Sequence, residues 1–260
     1  VSDFFKNKKV LITGAASGIG KALLIQLLEK GAEVYAVDIS DLGLEKLRQE
    51  FSEIKTKQVD LAVKGANDLI IEWLDQNNFQ IDLVIANAGK AEYGPAKTQN
   101  WKEMDALFQL NTFSPIELGM KLQERQASCH HVIIASAMSY WAVPGYSLYA
   151  ATKSALLQWA RTVWSEGGQQ LTLVFPIATA TAFFDHAGKN IPKAFPVQDP
   201  TTVARRILRG LEKGKKRIFP SRLFSLMRLM NRVIPIILPI YHWMELEKLR
   251  RWVKNKANSE

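Results

Sequence analysis

Lys9-Val10-Leu11-Ile12-Thr13-Gly14-Ala15-Ala16-Ser17-Gly18-Ile19-Gly20-Lys21-Ala22-Leu23-Leu24 passes from a β-branched apolar run, through a turn of small residues, into a helical pattern. Glycines let the backbone approach a pyrophosphate closely, and the helix behind them aims unpaired N–H groups and partial positive charge at it. The spacing is G-x-x-x-G-x-G rather than G-x-G-x-x-G, and taken singly such a turn also serves purely structural ends.

Working outward, short apolar runs at 9–13, 33–37, 57–61, 83–87, 131–136, 171–175 and 216–219 read as strands. Most lack in/out alternation, as strands buried on both faces should. Helical patterns fill the gaps at 18–30, 41–51, 64–77, 100–126, 148–166 and 200–213. Right-handed crossovers then give an α/β fold: a doubly wound parallel sheet of Rossmann type, in three layers, that binds ligands beyond the carboxyl ends of its strands. The expected organisation is a single domain over residues 1–220 with a helical, amphipathic and basic C-terminal extension over 221–260.

With 260 residues, 47% hydrophobic and 23% charged, the chain can bury a core and is neither disordered nor a disulfide scaffold. The one cysteine, Cys129, cannot form an internal disulfide and is expected as a buried small side chain in a reducing compartment. No secretory core is visible before residue 13, so a cytoplasmic location is expected. The net charge of +9 is uneven: residues 201–260 carry 15 Lys+Arg against 4 Asp+Glu, net +11, and the remainder is nearly neutral. A lipid surface therefore fits the positive charge better than a nucleic acid, for which no motif is present.

Asp38 ends the second strand 18 residues after Gly20, where a carboxylate can accept the hydroxyls of an adenosine ribose and repel a 2′-phosphate. Ser17, Ile39 and Ser40 offer no cation for that phosphate, so NAD is expected over NADP; the other reading of Asp38 is a cap on the helix near Asp41. Asp60, placed at the end of the third strand before Leu61, could meet the adenine or cap a helix. Asn87-Ala88-Gly89 suggests a backbone close to a cofactor or an asparagine bridging strands.

Ser136 ends the fifth strand, and Tyr149 and Lys153 follow, four apart on one helical face. An ammonium beneath a phenol would lower its pKa from about 10 toward a useful range. A hydroxyl at Ser136 could hold a substrate oxygen that gains charge. Taken alone, a Tyr and Lys at that spacing are commonplace.

Taken in order, these residues resemble the short-chain dehydrogenase/reductase family over roughly residues 7–220: T-G-x-x-x-G-x-G at Thr13 to Gly20, Asp38, Asp60-Leu61, Asn87-Ala88-Gly89, Asn111, Ser136, and Y-x-x-x-K at Tyr149 to Lys153. The resemblance implies an oxidoreductase interconverting a secondary alcohol and a ketone with NAD, preferred over NADP. Its catalytic residues would be Asn111, Ser136, Tyr149 and Lys153, with Asn111 holding a water that relays protons to Lys153. Its cofactor would meet Gly14, Ser17, Gly18, Ile19, Gly20, Asp38, Asp60, Leu61, Asn87, Ala88, Gly89, Tyr149, Lys153, Pro176 and Thr181, and no metal is implied. Two departures from the family pattern are Ile177, where P-G-x-x-x-T has glycine, and Ala86, where a second asparagine is common. The family usually assembles as homodimers or homotetramers through helices at 100–126 and 148–166.

The aromatic residues Tyr140, Trp141, Tyr146, Phe183 and Phe184 suggest an apolar cleft for a lipid-like substrate, contacted by Ser136, Tyr140, Tyr146, Phe183 and Phe184. His186 reads as an ordinary loop histidine. Along 221–233, Leu223, Leu226, Met227, Leu229, Met230 and Val233 cover one side of a helix that Pro235 and Pro239 then break. With the aromatic and basic residues beyond, this reads as a peripheral contact of 221–256 with the cytoplasmic membrane face. The other reading is a stripe folded on the protein's own core, roofing the cleft or joining subunits. A non-catalytic dinucleotide-binding scaffold or sensor at a membrane surface is the alternative to an enzyme.

Overall fold

Alternate residues of the first two strands go to opposite sides of the sheet. Val10, Ile12, Val34 and Ala36 join one apolar cluster, while Leu11, Tyr35 and Val37 join another. This explains the unbroken apolar runs in the sequence. The computed structural model describes residues 3–168, 170–181, 183, 187–188 and 190–257.

Seven parallel strands, β1 Lys9–Thr13, β2 Glu33–Asp38, β3 Lys55–Gln58, β4 Leu83–Ala86, β5 His130–Ile134, β6 Leu171–Val174 and β7 Arg217–Ile218, lie in the order β3-β2-β1-β4-β5-β6-β7. On one face, α1 Gly18–Glu29, α2 Asp41–Glu50 and α7 Pro200–Glu212 contribute Leu23, Leu27, Leu44, Ile207 and Leu208. On the other, α3 Ala66–Gln76, α5 Ser114–Arg125 and α6 Ser147–Ser165 contribute Ile70, Leu74, Leu118, Leu122, Leu156 and Ala160. Cys129 is buried among them, and burial pushes its thiol up to about 12. The chain winds away from β1 through β2 and β3, then returns to β1's other edge as β4. That reversal opens a crevice between the carboxyl ends of β1 and β4.

Three expected elements differ. The third strand was placed at 57–61 on the strength of Val59 and Leu61, yet β3 is the polar run Lys55–Gln58, paired with Tyr35 to Asp38 at the sheet edge. Lysine suits an edge, and Val59 and Leu61 instead turn down into the core after the strand ends. The single helix expected at 100–126 is α4 Trp101–Phe108, a π-helical turn Gln109–Phe113, and then α5. Beyond the sheet, α8 Arg222–Val233 and α9 Ile237–Ala257 lie against the body. Pro239 does not break α9: it sits in the first turn, where its missing N–H has no intrahelical partner to lose.

Candidate active site

The glycine turn is held from both sides. Gly14 has φ +64°, and a Cβ there would stand 2.9 Å from the Ala88 Cα. A Cβ at Gly20 would run into the Gly14 carbonyl oxygen. Asn87 locks the two strand ends together, its Nδ2 donating to the carbonyls of Thr13 (3.1 Å) and Gly14 (3.0 Å), while the Thr13 hydroxyl accepts from the Asn87 and Ala88 amides. Of its two sequence readings, the bridge between strands is the one the hydrogen bonds display. Ser17, the residue preceding α1, makes no side-chain cap bond, so no side chain there satisfies the first N–H groups of that helix. Asp38 accepts from the Ala16 amide (2.9 Å) through Oδ2 and from the Ser40 amide (2.9 Å) through Oδ1. The cap of α2 is Ser40, which accepts from Gly43 N, leaving the half-buried Asp38 carboxylate beside the glycine turn. Thr181 closes the same turn, its methyl 3.0 Å from where a Gly18 Cβ would be.

Ser136, Tyr149, Lys153 and Asn111 converge at the ends of β4 and β5. All four are buried, Asn111 and Lys153 to 0 and 3% exposure. Lys153 Nζ donates to the Ile134 carbonyl (3.0 Å) and lies 5.9 Å from the centre of the Tyr149 ring. The π-helical turn carries Asn111 inward, where Nδ2 donates to Lys90 O (2.9 Å) and Thr152 Oγ1 (3.2 Å), and Oδ1 accepts from Lys90 N (3.1 Å). Gly89 admits this closeness: a Cβ there would be 3.0 Å from Asn111 Oδ1 and 3.6 Å from Lys153 Nζ. Burial pushes the Tyr149 phenol up to about 12, opposed by a hydrogen bond with Ser136, and pushes Lys153 down to about 7. The expected lowering of the phenol by the ammonium is not seen: loss of water governs both groups, and only the Ser136 hydrogen bond acts against it at the phenol. Pro176 is buried behind this centre, its carbonyl accepting from Ala137 N (2.8 Å) and so tying the end of β6 to the turn after Ser136.

From Ser136 a pocket with about 110 Å³ of free space extends outward. Its walls are Tyr93, Met138, Trp141, Val143, Tyr146, Ile177, Pro192, Ala194, Phe195, Pro196 and five residues of the C-terminal helices: Leu223, Phe224, Met227, Tyr241 and Glu245. Phe224 lies edge-on to Trp141 (5.2 Å between ring centres), and Trp252 of α9 does the same to Tyr93 (5.2 Å). The extension is thus a wall of the pocket. Glu245, the one charged residue in the lining, pairs with Lys248 at 2.7 Å.

Residues 8–191 match the profile of the short chain dehydrogenase family. The chain belongs to that family. Among its relatives, an uncharacterised oxidoreductase of Saccharomyces cerevisiae, TDA5, is 30% identical over 227 residues, 82% of this chain and 68% of that protein. A 3-oxoacyl-(acyl-carrier-protein) reductase of Thermotoga maritima is 30% identical over 169 residues, 62% of this chain and 68% of that one. These matches span about two thirds of each relative's length. Two solved structures share the fold: a short-chain dehydrogenase of Sphingobium yanoikuyae in complex with NADPH (TM-score 0.72, 23% identity, 88% of this chain and 95% of that), and one of Burkholderia phymatum in complex with NAD (TM-score 0.75, 17% identity, 89% and 96%).

In this short-chain dehydrogenase one expected substrate contact, Tyr140, falls elsewhere. Tyr140 is absent from the pocket lining: its ring packs against Phe175 (5.1 Å) and Phe219 (5.7 Å), with Arg228 over its face at 4.8 Å. Tyr146 does line the pocket, and Phe183 lies edge-on to Tyr149 at 5.8 Å. Phe184 and His186 fall outside the described residues. Asp60 lies two residues beyond β3, exposed, its Oδ1 accepting from Ala62 N (2.9 Å), so it caps the following turn. The Leu61 side chain is buried in the core, leaving only its backbone to meet a ligand. Ile177, where the family pattern has glycine, has no positive φ and needs none; its side chain lines the pocket. Sequence reasoning missed Tyr93, Phe224, Tyr241 and Glu245. Only the 3.6-residue spacing of Phe224 and Met227 hinted at an inward face on α8.

Proposed function

We propose that this short-chain dehydrogenase interconverts an apolar ketone and its secondary alcohol, with NAD(H) preferred over NADP(H). The observation that carries the reading is the meeting of Ser136, Tyr149, Lys153 and Asn111 behind an apolar pocket that Ser136 lines, beside a glycine turn and an uncapped helix N-terminus. That turn, its close backbone contacts and the Asp38 carboxylate fit the pyrophosphate and adenosine ribose of a nicotinamide dinucleotide. Bound there, the dinucleotide supplies the hydride. Tyr149 holds its proton through the neutral range, with a pKa near 12, and donates it to the carbonyl oxygen as negative charge develops there. The Ser136 hydroxyl donates a hydrogen bond to the same oxygen. Lys153, with Asn111 beside it, returns a proton to the phenol.

The support for an apolar substrate is the pocket lining; the support for NAD is an acid at residue 38 with Ile39 and Ser40 after it. A dimeric or tetrameric assembly through α4, α5 and α6 belongs to the same proposal, supported by exposed Trp101, Phe113 and Met120 along that side. A non-catalytic scaffold or sensor would have no use for four polar side chains gathered and buried beside the pocket. The test is turnover of ketones of increasing chain length with NADH and NADPH, alongside Tyr149→Phe. The variant should lose on the order of 10²-fold or more in kcat while NADH still binds. Turnover at the wild-type rate would end the reading.

A further inference from the structure

The redox centre leaves one large feature of the molecule unused. α8 and α9 are apolar on two sides. Their inner sides are covered by the body: Phe224, Met227 and Tyr241 pack with Trp141, and Trp252 with Tyr93. Their outer sides carry Leu226, Met230 and Val233 at helical spacing, then Ile236 at the corner, then Ile240 and Trp243, each 45 to 77% exposed. A monomer in water rarely shows so continuous an apolar row. The helices bend by 118° about residues 234–236, so Val233 and Ile236 stand at the turning point. Among the described residues no single helix is long and apolar enough to cross a membrane; α8 and α9 reach that length and composition only as a bent pair, and with their inner sides packed on the body the arrangement suits a surface or one-leaflet contact.

Charge says what covers this row. Residues 222–256 carry 8 Lys+Arg against 2 Asp+Glu, and Arg222, Arg232, Arg250, Arg251, Lys254 and Lys256 are exposed. Two copies meeting through such a surface would repel one another, whereas anionic headgroups attract it. We infer that the α8–α9 corner is a docking surface for an anionic lipid bilayer, its apolar row entering the headgroup boundary while the flanking cations meet lipid phosphates. Leu223, Phe224 and Met227 of α8 wall the substrate pocket while Leu226 and Met230 face outward from the same helix. An apolar substrate dissolved in the leaflet therefore has a short path to Ser136. That last consequence rests on the proposed redox function; the docking itself does not.

The experiment is co-sedimentation of the full chain with vesicles of phosphatidylglycerol and phosphatidylcholine, and with phosphatidylcholine alone. It reads partition rather than turnover, so an inactive enzyme is scored equally well. Retention on the anionic vesicles should exceed that on neutral ones by about tenfold and fall in half-molar salt. Ile236→Glu with Ile240→Glu should lower it by about tenfold at an unchanged melting temperature, both sites being exposed. Arg251→Glu with Lys254→Glu, which keeps the apolar row, should lower it on anionic vesicles only. Failure of the wild-type chain to bind anionic vesicles, or equal binding by the Ile236/Ile240 variant, overturns the proposal. So does a solution dimer that this variant splits into monomers, because the row would then belong to a second copy.

Discussion

Lys153 is almost wholly enclosed, and its ammonium has the Ile134 carbonyl as acceptor at 3.0 Å. Burial takes its pKa from 10.5 to about 7, so between those values the unfolded chain binds a proton that the folded chain does not. Stability must then rise with pH across that window and be lowest below pH 7, where the folded protein has to carry a buried charge. Lys153→Met removes the burden. Its urea midpoint should exceed the wild-type one by a margin worth on the order of 1 kcal/mol or more at pH 6, and the margin should close toward pH 10. Parallel curves for the two proteins would contradict the buried-amine account. Tyr149 behaves oppositely, its protonated phenol being the form the pocket favours. The four-residue spacing of this pair was legible in the chain. Its electrostatics were not, because spacing reveals who is near whom and nothing about how much water each has lost.

At the scale of elements, α5 comes so close to β5 that Gly119 meets the ring of His131, where any Cβ would overlap the imidazole. Burial pushes that histidine down to about 4, so it packs as a neutral ring against Trp159 at 6.1 Å. Gly119→Ala should lower stability by roughly 1–3 kcal/mol, read as a lower urea midpoint with an unchanged slope. In a His131→Ala background, where the ring is gone, most of that cost should vanish; an undiminished cost would mean the strain lies in the backbone. The order of strands and helices was readable from apolar runs and their gaps. The π-helical turn was not: its cause is the set of hydrogen bonds from Asn111 to Lys90 and Thr152, partners 21 and 41 residues away in the chain. β3 was misplaced for a related reason. A polar edge strand has no apolar pattern, and its assignment came only from pairing with β2.

For the molecule as a whole, the C-terminal helices make one working unit with the nucleotide-binding sheet. Phe224, 6% exposed, packs against both Trp141 and Phe219 while facing the pocket. Phe224→Ala should raise KM for long-chain ketones by roughly tenfold, since lost apolar wall weakens binding of the distal chain, and change that for short ketones little. A uniform change across chain lengths, seen in kcat/KM for a graded series, would separate α8 from the substrate.

The chain by itself determined the doubly wound parallel sheet, the glycine turn and the serine, tyrosine and lysine of the site, because apolar periodicity and fixed spacing are local properties. Tertiary structure alone decided that Tyr140 turns into the core, that Asp60 caps a turn, and that α8 and α9 wall the pocket with one side and bare the other. Those outcomes depend on which distant surfaces meet and exclude water, and no local pattern encodes that.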